Sequence, residues 1–186
     1  AATCYRALLG SAPPQIRAEA AWALGDFRSA NEWFAEAARA RDADAMVRVR
    51  WGELFIDTHQ DDEAFKLFQE ALQREAGNAW AHVGAASVFI GRYSKEAATH
   101  LDAVLKNEQA PAGARLRAQL LTAQVALENG ELAEAEAILK RAEIVKEFHR
   151  RDQGARIARG RGLGLSIVGR LARVLDHGIV VDSNRS

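Results

Sequence analysis

The sequence predicts an all-α protein made of about four antiparallel helix hairpins, because helix-forming residues and a repeated pattern of side-chain sizes run through most of it. Of the 38 alanines, 35 lie in residues 1–142, and alanine is the best helix former. Four aligned alanines, at steps of 34, 33 and 38 residues, are each followed four residues later by a large apolar residue: Ala30 with Phe34, Ala64 with Phe68, Ala97 with Leu101, and Ala135 with Leu139. Such a period is typical of repeat architectures.

Each hairpin is predicted to be a helix, a tight turn and a second helix. The aligned turns are Gly25-Asp26-Phe27, His59-Gln60-Asp61, Gly91-Arg92-Tyr93 and Gly130-Glu131-Leu132. Seven residues before each turn is a small residue that suits a close helix crossing, namely Ala18, Gly52, Gly84 and Ala123. The hairpins are placed at 11–44, 45–78, 79–110 and 114–147, after an N-terminal extension (1–10) and before a tail (148–186).

The second and third hairpins carry the clearest motif, through Trp51, Gly52, Phe55, Ala64, Phe68 and Ala71 and through Trp80, Gly84, Tyr93 and Ala97. Residues 11–147 resemble the tetratricopeptide repeat (TPR), a helical hairpin that stacks into a right-handed superhelix. The resemblance implies a non-catalytic scaffold for protein–protein interaction. A peptide or helix of the partner would lie in the concave groove lined by the first helix of each hairpin.

By repeat position, that groove presents a mixed apolar and weakly acidic set of candidate contact residues: Trp22, Met46, Val49, Glu53, Ile56, Asn78, His82, Phe89, Arg117, Leu120 and Gln124. Within this set we expect Ile56, Phe89 and Leu120 to be the apolar anchors if they are exposed. The same residues are also compatible with an inner wall that only packs. For the four tryptophans, packing is the first expectation and ligand contact the second.

The composition changes near residue 143, and the tail carries a motif of its own. Residues 143–186 hold only 3 of the 38 alanines and have a net charge of +4, and Gly160, Gly162 and Gly164 alternate within five residues. Together with Phe148 and Arg150, this string resembles the C-terminal part of the ATP-binding domain of sensor histidine kinases. The resemblance implies an aromatic-arginine lid and a glycine-rich run that holds phosphates.

The tail therefore gives an alternative function, a fragment of an ATP-binding sensor histidine kinase with ATP and magnesium as cofactors. The family also needs a magnesium-binding asparagine on an upstream helix and an Asp-x-Gly-x-Gly loop that reads adenine, and repeats occupy that place in this sequence. We expect the chain alone not to bind ATP. The predicted helix at 163–175 would then cap the last hairpin, followed by a candidate strand at 179–181.

Composition and missing motifs argue against several other classes. Basic and acidic residues are equal in number, 25 each, whereas nucleic-acid binding needs clustered positive charge. The single cysteine, Cys4, rules out an intrachain disulfide and fits the cytoplasm. The longest strongly apolar stretch, 83–90, is far shorter than the roughly 20 residues of a membrane-spanning helix. No phosphate-binding loop, nucleophile elbow or zinc-protease motif occurs, so no catalytic residue, metal site or cofactor is predicted.

Overall fold

The computed structural model describes residues 2–40, 43–90 and 94–141. These residues form nine helices and no strand: α1 (Ala2–Ser11), α2 (Pro14–Leu24), α3 (Phe27–Arg39), α4 (Ala45–Asp57), α5 (Asp61–Arg74), α6 (Ala79–Phe89), α7 (Ser94–Leu105), α8 (Ala112–Glu128) and α9 (Leu132–Arg141). The all-α prediction is confirmed for this part of the chain. The predicted helix at 163–175 and strand at 179–181 lie outside it. Among the described helices, none has the length and apolar character needed to cross a membrane.

The described part of the chain divides into two compact units, one that ends at Arg115 and one that begins at Leu116. In the first unit, α2 pairs with α3, α4 with α5, and α6 with α7, and α4 also contacts α3 and α6. Residues 2–10, which the sequence assigns to an N-terminal extension, lie in α1. Helix α1 packs on α2. In the second unit, Ala123 and Ala126 of α8 pack against Ala135 of α9.

The turns and caps explain where the helices begin and end. Gly25 follows α2 with a φ of 83°, Gly130 follows α8 with 82°, and His59 adopts 59° between α4 and α5. These three residues occupy the aligned turn positions, where glycine meets the need for a left-handed backbone at least cost. The side chains of Asp26, Asp44 and Asn78 cap α3, α4 and α6 by accepting backbone N–H bonds, which satisfies donors that a helix start leaves open.

The Asp26 cap makes the stability of the fold depend on pH. Its carboxylate accepts hydrogen bonds from Ser29 Oγ at 2.7 Å and Ser29 N at 3.1 Å, and these bonds hold the pKa of Asp26 below its ordinary value. The folded pKa is thus below the unfolded pKa of about 3.9. The stabilisation is therefore present above the unfolded value and is lost as the pH falls through the folded value.

We expect Asp26→Ala to lower the free energy of unfolding by about 1 kcal/mol near neutral pH, since the cap is lost. Asp26→Asn keeps a capping oxygen but cannot titrate. It should match the wild type near neutral pH and exceed it in stability below about pH 4. Urea unfolding of the three proteins across this pH range measures both effects. A constant difference between Asp26→Asn and the wild type at every pH would show that the Asp26 carboxylate does not act in this way.

The aligned repeat positions form the core. The four aligned alanines, Ala30, Ala64, Ala97 and Ala135, are all 0 % exposed. Of the large residues that follow them, Phe34, Phe68 and Leu101 are fully buried, and Leu139 is half-buried. The pattern found in the sequence is therefore a packing pattern.

Phe68 of α5 fills the space beside two first helices, α4 and α6. A Cβ atom built on Gly84 would lie 2.3 Å from Phe68 Cε1, and one built on Gly52 would lie 2.7 Å from the same atom. Both distances are shorter than van der Waals contact, so any side chain at these two positions would collide with the ring. The aligned small residues in the second and third hairpins are thus explained by one aromatic ring.

Candidate functional site

The first helices of two successive hairpins, α2 and α4, are joined by polar side chains. Trp22 Nε1 on α2 donates a hydrogen bond to Asp57 Oδ2 on α4 at 3.0 Å. Arg50 on α4 donates from Nε and Nη2 to the two carboxylate oxygens of Glu19 on α2, at 2.6 and 2.7 Å. Glu53 on α4 accepts from Arg50 Nη1. We call these five residues, Glu19, Trp22, Arg50, Glu53 and Asp57, the α2–α4 network.

Arg50 is the centre of the network. Its guanidinium carbon lies 4.6 Å from the centroid of the Trp22 ring, a distance at which a cation is attracted to the face of an aromatic ring. Burial by itself lowers the pKa of Arg50, but the hydrogen bonds and negative charges of Glu19 and Glu53 outweigh it and hold the pKa above its ordinary value. Arg50 therefore stays charged. Its side chain is still 36 % exposed, and those of Glu19 and Glu53 are each 31 % exposed.

Three of the predicted groove residues are buried in the structure. Val49 is 0 % exposed and packs in the cluster around Phe68. Asn78 is 6 % exposed because its side chain caps α6, accepting a bond from Ala81 N at 3.0 Å. Leu120, one of the three expected anchors, is 4 % exposed. None of these side chains is open to a partner.

His82 and Phe89, two further predicted groove residues, contact residues of α5 and α7. They are seven residues, or two helical turns, apart and so share one face. Phe89 stacks on His100 of α7, with ring centroids 6.0 Å apart, and meets Phe65 of α5 edge to face at 4.8 Å. His82 contacts His100. This face of α6 is therefore turned towards second helices and not along the row of first helices.

The remaining predicted positions are half-buried or lie outside the described residues. Met46 and Ile56 pack against the cluster around Phe68 and keep part of their surface open. In residues 116–141, Arg117 and Gln124 are half-buried, and Gln124 Nε2 donates to Glu128 Oε1 at 3.0 Å. The alternative nucleotide residues all lie outside the described residues: Phe148, Arg150, Gly160, Gly162 and Gly164.

The sequence contains a signal for the network that the groove assignment did not use. Glu19 and Glu53 are 34 residues apart and so hold the same place in successive hairpins, and Arg50 stands three residues before Glu53. Opposite charges three residues apart are neighbours on a helix surface. A repeat-equivalent pair of glutamates with an arginine one turn away predicts an ion-paired contact between first helices.

The described part of the chain offers weaker candidates for a metal site or a small-molecule site. No group of three or more His, Cys, Asp or Glu side chains is arranged there to hold a metal ion. A cleft of about 230 Å³ opens between the start of α3 and the end of α4, beside Phe27 and Phe55. Small-molecule sites commonly measure about 300–1,000 Å³, so the cleft is small for that purpose. The α2–α4 network is the best candidate site in these residues.

Comparison with known proteins adds no assignment, since no protein-family model and no curated protein matches the chain.

Proposed function

We propose that this protein is a non-catalytic interaction scaffold that binds a peptide or helix of a protein partner on the face formed by α2 and α4. The observation that carries the proposal is the Trp22–Arg50 pair, a half-buried indole ring covered by a guanidinium group. Tryptophan and arginine are among the residues that contribute most to binding at protein interfaces. An apolar side chain of the partner can pack beside the Trp22 indole. The partner's backbone or polar groups can form hydrogen bonds with the charged groups around that indole.

The pair is also ordered before any partner arrives. Glu19 holds Arg50 with two hydrogen bonds, and Asp57 holds the Trp22 indole with a third. Side chains that are fixed in advance lose less conformational entropy on association, which leaves more of the contact energy for affinity. Met46 and Ile56 are half-buried apolar residues on α4, the helix that also carries Arg50. They supply further apolar surface under this proposal.

The repeat pattern supports this assignment through the resemblance to TPR proteins, in which partners lie along the first helices. Polar contacts join α2 to α4, and α4 also contacts α6, so the first helices of the first unit neighbour one another. The proposal includes a cytoplasmic location, which a single cysteine fits, and a docking role in two-component signalling, which the resemblance of the tail implies. The kinase alternative rests on tail residues outside the described part, and no contact described above favours it.

The test starts from peptides selected against the wild-type chain from a random peptide library, with their affinity measured by calorimetry. Arg50→Lys keeps the charge but lacks the planar fork that binds Glu19 twice and stacks on Trp22. We expect it to weaken binding roughly tenfold, or about 1.4 kcal/mol.

A second arginine–tryptophan pair provides the matched control. Arg17 lies 4.7 Å from the centroid of the Trp33 ring, between α2 and α3 of one hairpin. Arg17→Lys makes the same chemical change away from the α2–α4 network, so it should leave the affinity unchanged. Failure to select any peptide would count against the scaffold function. An equal loss of peptide affinity in both variants would count against the α2–α4 face as the binding site. Unchanged affinity in Arg50→Lys would also count against it.

A further inference from the structure

The α6–α7 hairpin brings two imidazole rings into direct contact, away from the α2–α4 network. His82 Nδ1 and His100 Nδ1 are 2.9 Å apart, and the ring centroids are 5.2 Å apart. The rings therefore meet edge to edge through these two nitrogens. Both side chains are half-buried, so they combine a defined position with access to solvent.

The second nitrogen of His82 fixes which of its atoms carries the proton. His82 Nε2 lies 3.1 Å from the backbone oxygen of Ala76. A carbonyl oxygen can only accept, so Nε2 holds the hydrogen in the neutral ring and Nδ1 carries a lone pair. Histidines that bind metal ions are commonly oriented in this way, with one ring N–H donated to a backbone carbonyl and the other nitrogen left for the metal.

His100 is held in a state that also suits coordination. Phe89 stacks on its ring at an interplanar angle of 14°. Burial, and next the neighbouring His82, lower the pKa of His100, which favours the neutral form of its imidazole. In the neutral pair, His100 Nδ1–H donates to His82 Nδ1. If the proton of His100 moves to Nε2, both Nδ1 atoms carry a lone pair, and no proton is released.

We propose that His82 and His100 together bind one divalent transition-metal ion of the zinc and nickel class through their Nδ1 atoms. With metal–nitrogen bonds of about 2.0–2.1 Å, two ligand nitrogens lie roughly 2.9 Å apart at a right angle and roughly 3.3 Å apart at a tetrahedral angle. The observed separation is 2.9 Å, and turning the two rings so that their lone pairs converge on one point completes the geometry. Imidazole suits both ions.

The ion would link α6 to α7, and water molecules would fill its remaining coordination positions. No third metal-ligating side chain is close enough to make a group of three in the described residues, so the site differs from a closed structural zinc site with four protein ligands. An ion bound in this way exchanges with solvent. Because both ligands lie in one hairpin, its binding stabilises the α6–α7 pair.

The experiment uses the full chain with Cys4→Ser, since Cys4 is an exposed free thiol that could itself bind metal. NiCl₂ and ZnCl₂ are titrated separately by calorimetry. We expect saturable binding of one ion per chain. His82→Gln and His100→Gln should each weaken it by at least about tenfold, the lower end of what the loss of an outer-shell partner costs. His59→Gln, which removes an exposed turn histidine, should bind as before.

A spectroscopic measurement keeps the test decisive if a glutamine variant fails to fold, which circular dichroism would reveal. In the ¹⁵N-labelled Cys4→Ser chain, Zn²⁺ should shift the Nδ1 resonances of both His82 and His100. Absence of saturable binding for both ions would overturn the proposal. So would unchanged affinity in the two folded variants, or a zinc-induced shift confined to other histidines.

Discussion

Replacing Phe68 with alanine should lower the free energy of unfolding by about 3–5 kcal/mol, the usual cost of truncating a buried aromatic residue. Phe68 is 0 % exposed, and its ring lies against Gly52 and Gly84. Glycines have no side chain that could move into the cavity, so we expect a loss towards the upper end of that range. Urea denaturation measures it.

Phe65 is the matched control for this change. It lies on the same helix, one turn before Phe68, but it is only half-buried. Phe65→Ala should therefore cost less than Phe68→Ala. If Phe68→Ala cost less than about 1 kcal/mol, far below the range for core aromatics, Phe68 could not occupy the position between α4 and α6 described above.

Replacing Gly84 with leucine should cost about 1–3 kcal/mol through overpacking. The first added carbon would lie 2.3 Å from Phe68 Cε1, and the ring is enclosed, so either the ring or the helix must move. Gly77→Leu is the control, since a Cβ atom there meets nothing within 4 Å. Equal stability of Gly84→Leu and the wild type in urea would contradict the close crossing.

A double substitution tests whether Phe68 itself is the cause of the collision. Gly84→Ala adds a single methyl group against the ring, and Phe68→Leu removes part of that ring. If the two residues touch, their costs should not add, and the double variant should lose less stability than the two single variants together. If the losses of unfolding free energy were additive, the cost of Gly84→Ala would not come from contact with Phe68.

The helices and the core could be predicted from sequence because a close crossing restricts residue size at fixed intervals. Residues 52 and 84 are glycines because Phe68 lies against both. This requirement places small residues at regular intervals that can be recognised in the sequence. The face that each first helix presents was harder to predict. Successive residues on a helix are separated by roughly 100°, so the repeat register identifies a helix more reliably than a face. Val49 packs against the core, and the next residue, Arg50, points to α2.

His82 and Phe89 show the same limit. Their spacing of seven residues indicates correctly that they share one face of α6, but the direction of that face depends on the helices packed against it. His100 and Phe65, which they contact, come from α7 and α5 and are not repeat-equivalent to any residue used in the groove assignment. The network around Arg50 is easier to predict from the sequence, because the two glutamates that bind Arg50 are 34 residues apart and so hold equivalent positions in successive hairpins.

Binding on the α2–α4 face is tested most directly by the indole N–H resonances of the four tryptophans in ¹⁵N-labelled protein, recorded as a library-selected peptide is added. The Trp22 indole donates to Asp57 beside Arg50, whereas the Trp51 indole donates to Asn31 between α4 and α3 and serves as an internal control. We predict the largest shift at Trp22 and none at Trp51. A saturating peptide that leaves Trp22 unchanged while it shifts another indole would contradict the α2–α4 face as the docking surface.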